Sequence, residues 1–174
     1  MIILVLGTPG SGKSDLAEDI MLSLKKKNMY YIATMEVLDE DGRERVIKHR
    51  KKRKGKGFTT LEITHDIAEY FRDKEYEEDS AVLLECVSNL VGNELERKME
   101  NPDIVPEKII NDILSVSRKV RDMVIVANSF TDSKEYDDKT RTYIRINNET
   151  NNKIQIITDK THVISRSDET RNPN

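Results

Sequence analysis

A single cysteine, Cys86, stands among 174 residues, so no intramolecular disulfide framework exists and a reducing compartment suits the chain. That thiol and three histidines, none closely spaced, give no zinc signature. Long apolar runs are missing as well. The opening Met1-Ile2-Ile3-Leu4-Val5-Leu6 is shorter than a signal-peptide core with its cleavage site, and nothing approaches the ~18 residues of a membrane span. The net charge is only -3 although 35% of the residues are charged, which favours neither nucleic acid nor a membrane surface as partner. These absences predict a soluble, cytoplasmic protein. A chain of this length with 36% apolar residues suits one domain, able to bury roughly two thirds of the surface it exposes when unfolded.

What is present is an alternation of strand and helix patterns. The first apolar run ends in a glycine-rich turn, after which Leu16, Ile20 and Leu24 recur at helical spacing. Tyr30 to Ala33, Ala81 to Leu84 and Val124 to Ala127 are apolar throughout, as strands covered on both faces are. Between the last two lie helical patterns, Val87, Val91, Leu95 and Met99, then, after Pro106, Ile109, Ile113, Val116 and Val120. The expected fold is α/β, with helices on both faces of a mostly parallel sheet, in one domain over residues 1–165. Lys153 to Thr158 alternates like a strand, and Asn147, Asn148, Asn151 and Asn152 read as turns before it. Residues 166–174 contain no apolar side chain and are expected to be a disordered tail.

Gly7-Thr8-Pro9-Gly10-Ser11-Gly12-Lys13-Ser14 matches the P-loop pattern, directly after a strand and before a helix. Its glycines let the backbone curl so that N–H groups point at phosphate oxygens, and the helix N-terminus adds about half a positive charge. Lys13 then reaches the β and γ phosphates of a nucleoside triphosphate and Ser14 offers its hydroxyl to Mg²⁺. Glu85, at the carboxyl end of a strand, stands where an acidic side chain holds Mg²⁺ or its water shell, although a strand-end carboxylate facing solvent has the same sequence. Cys86, beside it, has no base partner and reads as a buried structural thiol, and His65 and His162 read as structural too.

The strongest local charge feature is the segment Arg43 to Lys54. It fits a solvated basic loop or a nucleic-acid patch, but neither explains His49 at its centre. Surrounding cations disfavour imidazolium, and a neutral imidazole is a nucleophile. Beside a triphosphate, the same arginines and lysines neutralise charge on a phosphorus under attack and on departing pyrophosphate.

Taken in order, Ile3-Leu4-Val5, Gly10 to Ser14, Tyr31-Ile32-Ala33-Thr34, Arg45-Val46-x-x-His49-x-x-x-Arg53, Thr60-Leu61-Glu62 and Leu83-Leu84-Glu85-Cys86-Val87 resemble the bifunctional adenosylcobinamide kinase and adenosylcobinamide-phosphate guanylyltransferase family. The resemblance covers about the first 130 residues. It implies a P-loop α/β enzyme, a homotrimer, with GTP and ATP as substrates, Mg²⁺ as cofactor and a corrinoid, adenosylcobinamide, as acceptor. One reaction phosphorylates the acceptor's aminopropanol hydroxyl, and the other passes GMP from GTP to that phosphate through a guanylylated histidine, here His49. The family's nucleotide contacts fall on Gly7 to Ser14, on Ala33, Thr34 and Met35, on Arg50, Lys51, Lys52 and Arg53, on Glu62 and on Glu85.

After the fourth strand the sequence departs from that pattern. Only Asn128 survives of the family's asparagine-glutamate-valine-glycine run, and the stretch reads Ala127-Asn128-Ser129-Phe130-Thr131. The resemblance places a helix over residues 139–158 and a final strand at His162 to Ser165, against the strand expected from alternation at Lys153 to Thr158. Two other functions fit the residues: a P-loop kinase for another small metabolite with the basic stretch as a phosphate-clamping lid, and a non-enzymatic binding module built on residues 43–57.

Overall fold

The computed structural model describes residues 1–37, 39–98 and 100–165. The tail expected over residues 166–174 lies outside them. Six strands form one sheet, β1 (Ile2–Gly7), β2 (Asn28–Ala33), β3 (Phe58–Glu62), β4 (Ser80–Glu85), β5 (Asp122–Asn128) and β6 (Lys160–Ile164), in the order β3-β2-β4-β5-β1-β6. Every neighbouring pair is parallel. The helices are α1 (Lys13–Ser23), α2 (Glu40–Arg53), α3 (Ile67–Arg72), α4 (Val87–Arg97), α5 (Val105–Ser117) and α6 (Asp138–Ile157).

Strands buried on both faces send alternate residues into two cores. Leu4, Val82, Leu84, Met123 and Ile125 pack with α3, α4, α5 and α6, while Ile3, Val5, Leu83, Val124 and Val126 pack with Ala17 and Met21 of α1. The result is three layers, helix, sheet and helix, as the unbroken apolar runs predicted. Because all strands run the same way, their carboxyl ends collect on one edge, and the chain reverses its direction across the sheet between β1 and its neighbours. Ligands of such sheets bind at that edge.

Three local features differ from the sequence expectation. The basic stretch is a helix, not a loop: Asp39 caps α2 by accepting the Gly42 N–H at 2.7 Å. Phe58–Glu62, where no strand was expected, is the edge strand β3, paired only with β2 among the described residues. The strand expected at Lys153 to Thr158 is the end of α6, and the asparagines read as turns lie inside that helix. Asn147 and Asn151 are buried and each donates through Nδ2 to the Asn128 carbonyl at 2.8 Å. These side chains bind the end of β5, which outweighs their weak helix propensity. The helix and final strand implied by the resemblance are the ones observed.

Candidate active site at the carboxyl edge of the sheet

The turn after β1 is built from positions that only glycine fills easily. Gly10 and Gly12 have φ of 76° and 85°, in the left-handed region that penalises a Cβ. A Cβ on Gly7 would collide with the backbone carbonyl of Ile164 on the adjacent β6. The Lys13 ammonium folds back into this loop and donates to the Thr8 carbonyl at 2.6 Å. Burial lowers its pKa, and the neighbouring Glu85 opposes that shift.

Ser14, in the first turn of α1, donates its hydroxyl to Oε1 of Glu85 at 2.8 Å. The carboxylate therefore faces the P-loop, not open solvent. Its other oxygen, Oε2, is buried without a partner, and burial lifts the carboxyl to about 7. A hydroxyl and a carboxylate side by side, one oxygen unsatisfied, fit Mg²⁺, which takes one or two protein oxygens and completes its shell with water and phosphate. Among the described residues no group of three or more His, Cys, Asp or Glu could hold a metal, so an all-protein metal cage is not the alternative.

Helix α2 forms one wall of the adjoining cavity. Val46, His49, Arg50 and Arg53, at helical spacing, line a cavity of about 370 Å³ together with Ala33, Met35, Glu62 and Glu85. Two ion pairs hold α2 against α1: Lys52 with Asp15, at 2.9 Å, and Lys56, just past α2, with the buried Glu18. The helix bearing His49 is thereby anchored to the helix bearing Lys13 and Ser14. Burial first, then Arg53 and Lys52, push the His49 pKa below its ordinary value. The cations therefore act in the expected direction, but burial leads.

Arg53 is itself buried and lies with its guanidinium 3.9 Å from the Tyr31 ring centroid. Its Nε, the Tyr31 hydroxyl and Glu85 Oε2 are all buried without hydrogen-bond partners among the described residues, and all three residues line this cavity. Orphaned polar atoms converging on one cavity mark a place where a polar ligand completes the bonding.

The other expected contacts divide. Arg50 pairs with Glu62 across the cavity mouth. Thr34 is fully buried, its hydroxyl engaged with the Cys86 backbone at 2.8 Å, so it shapes the floor without lining it. Lys51 faces away, onto two shallow grooves outside the cavity. None of Gly7 to Ser14 lines the cavity either; the P-loop meets it through the bond from Ser14 to Glu85, which does. Cys86 is buried, and burial pushes its thiol up to about 12. Site-lining residues that the sequence did not single out include Tyr31, Glu36, Thr64 and Asn89. Of these only Tyr31 carried a signal, as the start of the Tyr31-Ile32-Ala33-Thr34 block.

No curated protein matches the sequence. Among solved structures that resemble it is the flagellar accessory protein FlaH from Methanocaldococcus jannaschii, 15% identical, with a TM-score of 0.41 and a match that covers 83% of this chain and 66% of that one. This chain thus spans slightly less than two thirds of the length of that protein. The family model of cobinamide kinase / cobinamide phosphate guanyltransferase matches residues 3–166, nearly the whole chain, including the divergent stretch after β5, and this protein belongs to that enzyme family.

Proposed function

We propose that this chain is a bifunctional adenosylcobinamide kinase and adenosylcobinamide-phosphate guanylyltransferase that works through a guanylylated His49. The observation that carries the reading is the shared cavity: His49, Arg50 and Arg53 on one face of α2 line it together with Glu85, whose carboxylate is bonded to Ser14 of the P-loop. A triphosphate cradled by Gly7 to Ser14 extends toward that cavity, and Lys13 leaves the Thr8 carbonyl to meet its β and γ oxygens.

In the kinase reaction the acceptor hydroxyl oxygen attacks the γ phosphorus, a P–O bond forms, the bond from that phosphorus to the β-phosphate oxygen breaks, the nucleoside diphosphate departs, and the hydroxyl proton passes to water. Ser14 and Glu85 would hold Mg²⁺, which would neutralise phosphate charge. In the transferase reaction the neutral His49 ring attacks the α phosphorus of GTP and pyrophosphate leaves. An oxygen of the acceptor phosphate then attacks the same phosphorus, the P–N bond breaks, and the diphosphate-linked product and free imidazole result. Arg50 and Arg53 are placed to neutralise the α phosphate while its charge rises. A buried, weakly basic imidazole is free to attack without first losing a proton.

Incubation with GTP labelled at the α phosphate tests the mechanism. Acid-labile label on the wild-type chain, lost in His49→Ala, supports it; equal labelling of the variant overturns His49 as the nucleophile. Formation of cobinamide phosphate and its GDP adduct reads the two reactions separately. A homotrimer and a cytoplasmic setting belong to the same reading, and light scattering of the purified protein gives the assembly state.

A further inference from the structure

A second cavity, of about 270 Å³, opens between the segment that leaves β2 and helices α4 and α6. It shares Met35, Glu36 and Asn89 with the first, so the two are continuous. Their charge balance differs. The first cavity sets Arg50 and Arg53 against Glu36, Glu62 and Glu85, whereas the second sets Glu36, Asp39 and Glu96 against the single guanidinium of Arg45. The second is the more acidic and suits a triphosphate less.

The second cavity is also rich in hydrogen-bond acceptors. Asn93, in its wall, spends Nδ2 on the carbonyls of Thr34 and Thr64, both at 2.8 Å. Those two acceptors fix the side-chain orientation and leave Oδ1 as the free polar atom. Tyr143 gives its hydroxyl proton to the Ser88 carbonyl at 3.1 Å and so offers the space a ring face, not a donor. The matching ligand carries several N–H donors, no negative charge, and an arm long enough to reach the neighbouring cavity.

We infer that this cavity is the acceptor subsite, and that it takes the primary carboxamide arms on one edge of a corrinoid. The inference rests on the proposed function, which makes a cobinamide the acceptor, and adds where and by what chemistry it binds. Carboxamide N–H groups meet Asn93 Oδ1 and the Glu36 and Glu96 carboxylates, and the positive charge of the cobalt–corrin core suits the acidic wall. The volume holds a few side arms, not a macrocycle, so the ring lies outside the cavity. The aminopropanol arm then passes Asn89 and Met35 toward the γ phosphate.

Glu96 lines only this second cavity and is exposed on α4, so Glu96→Lys and Glu96→Gln leave the core and the nucleotide site untouched. Equilibrium binding is measured for cobinamide and for a corrinoid whose carboxamides have been hydrolysed to carboxylates, alongside labelling by GTP at the α phosphate. Glu96→Lys is expected to weaken cobinamide binding roughly fivefold and to tighten binding of the carboxylate corrinoid, with Glu96→Gln intermediate and labelling at the wild-type level. Wild-type affinity of Glu96→Lys for both corrinoids overturns the subsite and leaves the proposed activity standing. A wild-type chain that neither binds nor modifies cobinamide overturns both.

Discussion

The hydroxyl of Ser14 donates to Glu85 Oε1 at 2.8 Å, a bond that spans β5 to join the first turn of α1 to the end of β4. It puts a buried carboxylate beside the P-loop with no cation bonded to it, and an ionised group in that position is costly until a counter-charge arrives. Ligand binding and folding stability therefore draw on the same side chain.

The Glu85 carboxyl sits at about 7 in the folded chain against 4.5 for an ordinary glutamate. Between those values the native state holds more protons than the unfolded one, so this contribution to stability is complete below about 4.5 and disappears as pH rises to about 7. Glu85→Gln keeps the shape and removes the titration. Melting curves without nucleotide or Mg²⁺ are expected to show the variant more stable than wild type at pH 8 and to lose that advantage near pH 4.5. Mg²⁺-dependent nucleotide binding should weaken in the same variant. A stability gap that does not change with pH would rule out the buried charge.

His49 titrates below its ordinary value of 6.5 because it is buried and lies near Arg53 and Lys52. Labelling by GTP should consequently stay at its plateau as pH drops through 6.5 and decline only at lower pH. Lys52→Gln is expected to move the acid limb upward by a small amount, since burial is the larger cause. The measurement is the initial rate of label formation against pH. An acid limb centred at or above 6.5 contradicts the geometry.

Much of this site was legible because its parts are local in sequence. Gly7 to Ser14 carries its own geometry in its glycines, and the strand ending in Glu85 announces itself as an unbroken apolar run. The α2 helix was harder to see. Its inner face offers one valine and its outer face is charged, so no apolar stripe marks the period; ion pairs to Asp15 and Glu18 hold it in place of a hydrophobic seam. The edge strand β3 has a partner on one side only, and its Thr59, Thr60 and Glu62 are exposed, which blurs the strand pattern. In α6 the deciding contacts are to Asn128 and Phe130, distant in sequence. Asparagine followed by asparagine spells a turn until a strand-end carbonyl needs a donor.

Asn147 and Asn151 both donate to the Asn128 carbonyl at 2.8 Å, and Asn128 is paired in register with Gly7. Removing one donor leaves the other in place, so Asn151→Ala should cost about 1–2 kcal/mol from the lost bond and packing. Removing both strips the part-buried Asn128 oxygen of its two side-chain donors, and the double variant should lose more than the sum of the singles. Urea denaturation of the four proteins gives the coupling, and strict additivity would show that the two side chains do not act on one acceptor.

Lys108 is the sole cation of α5 in a cluster of carboxylates, reaching Glu94 at 2.7 Å, Asp66 at 3.0 Å and Asp112 at 3.1 Å. Burial lowers its pKa, but the three carboxylates outweigh that and raise it; burial likewise raises Asp66, which bonds to Arg97 and Lys108 bring down to about 2. In wild type the depressed Asp66 contributes stability above its unfolded value of 3.8 and loses it as pH falls toward 2. Lys108→Met removes the shared partner of Glu94, which is fully buried, and leaves that charge uncompensated. The expected cost is about 3–5 kcal/mol at neutral pH. Burial already holds the Asp112 carboxyl above its ordinary value and Lys108 opposes that shift, so in the variant Asp112 rises further, the native state takes up the extra proton, and the loss should shrink as pH is lowered from 7 to 5. Urea melts of both proteins at the two pH values measure this, and a penalty that stays constant would mean that Lys108 supports the cluster by packing its methylenes and not by its charge.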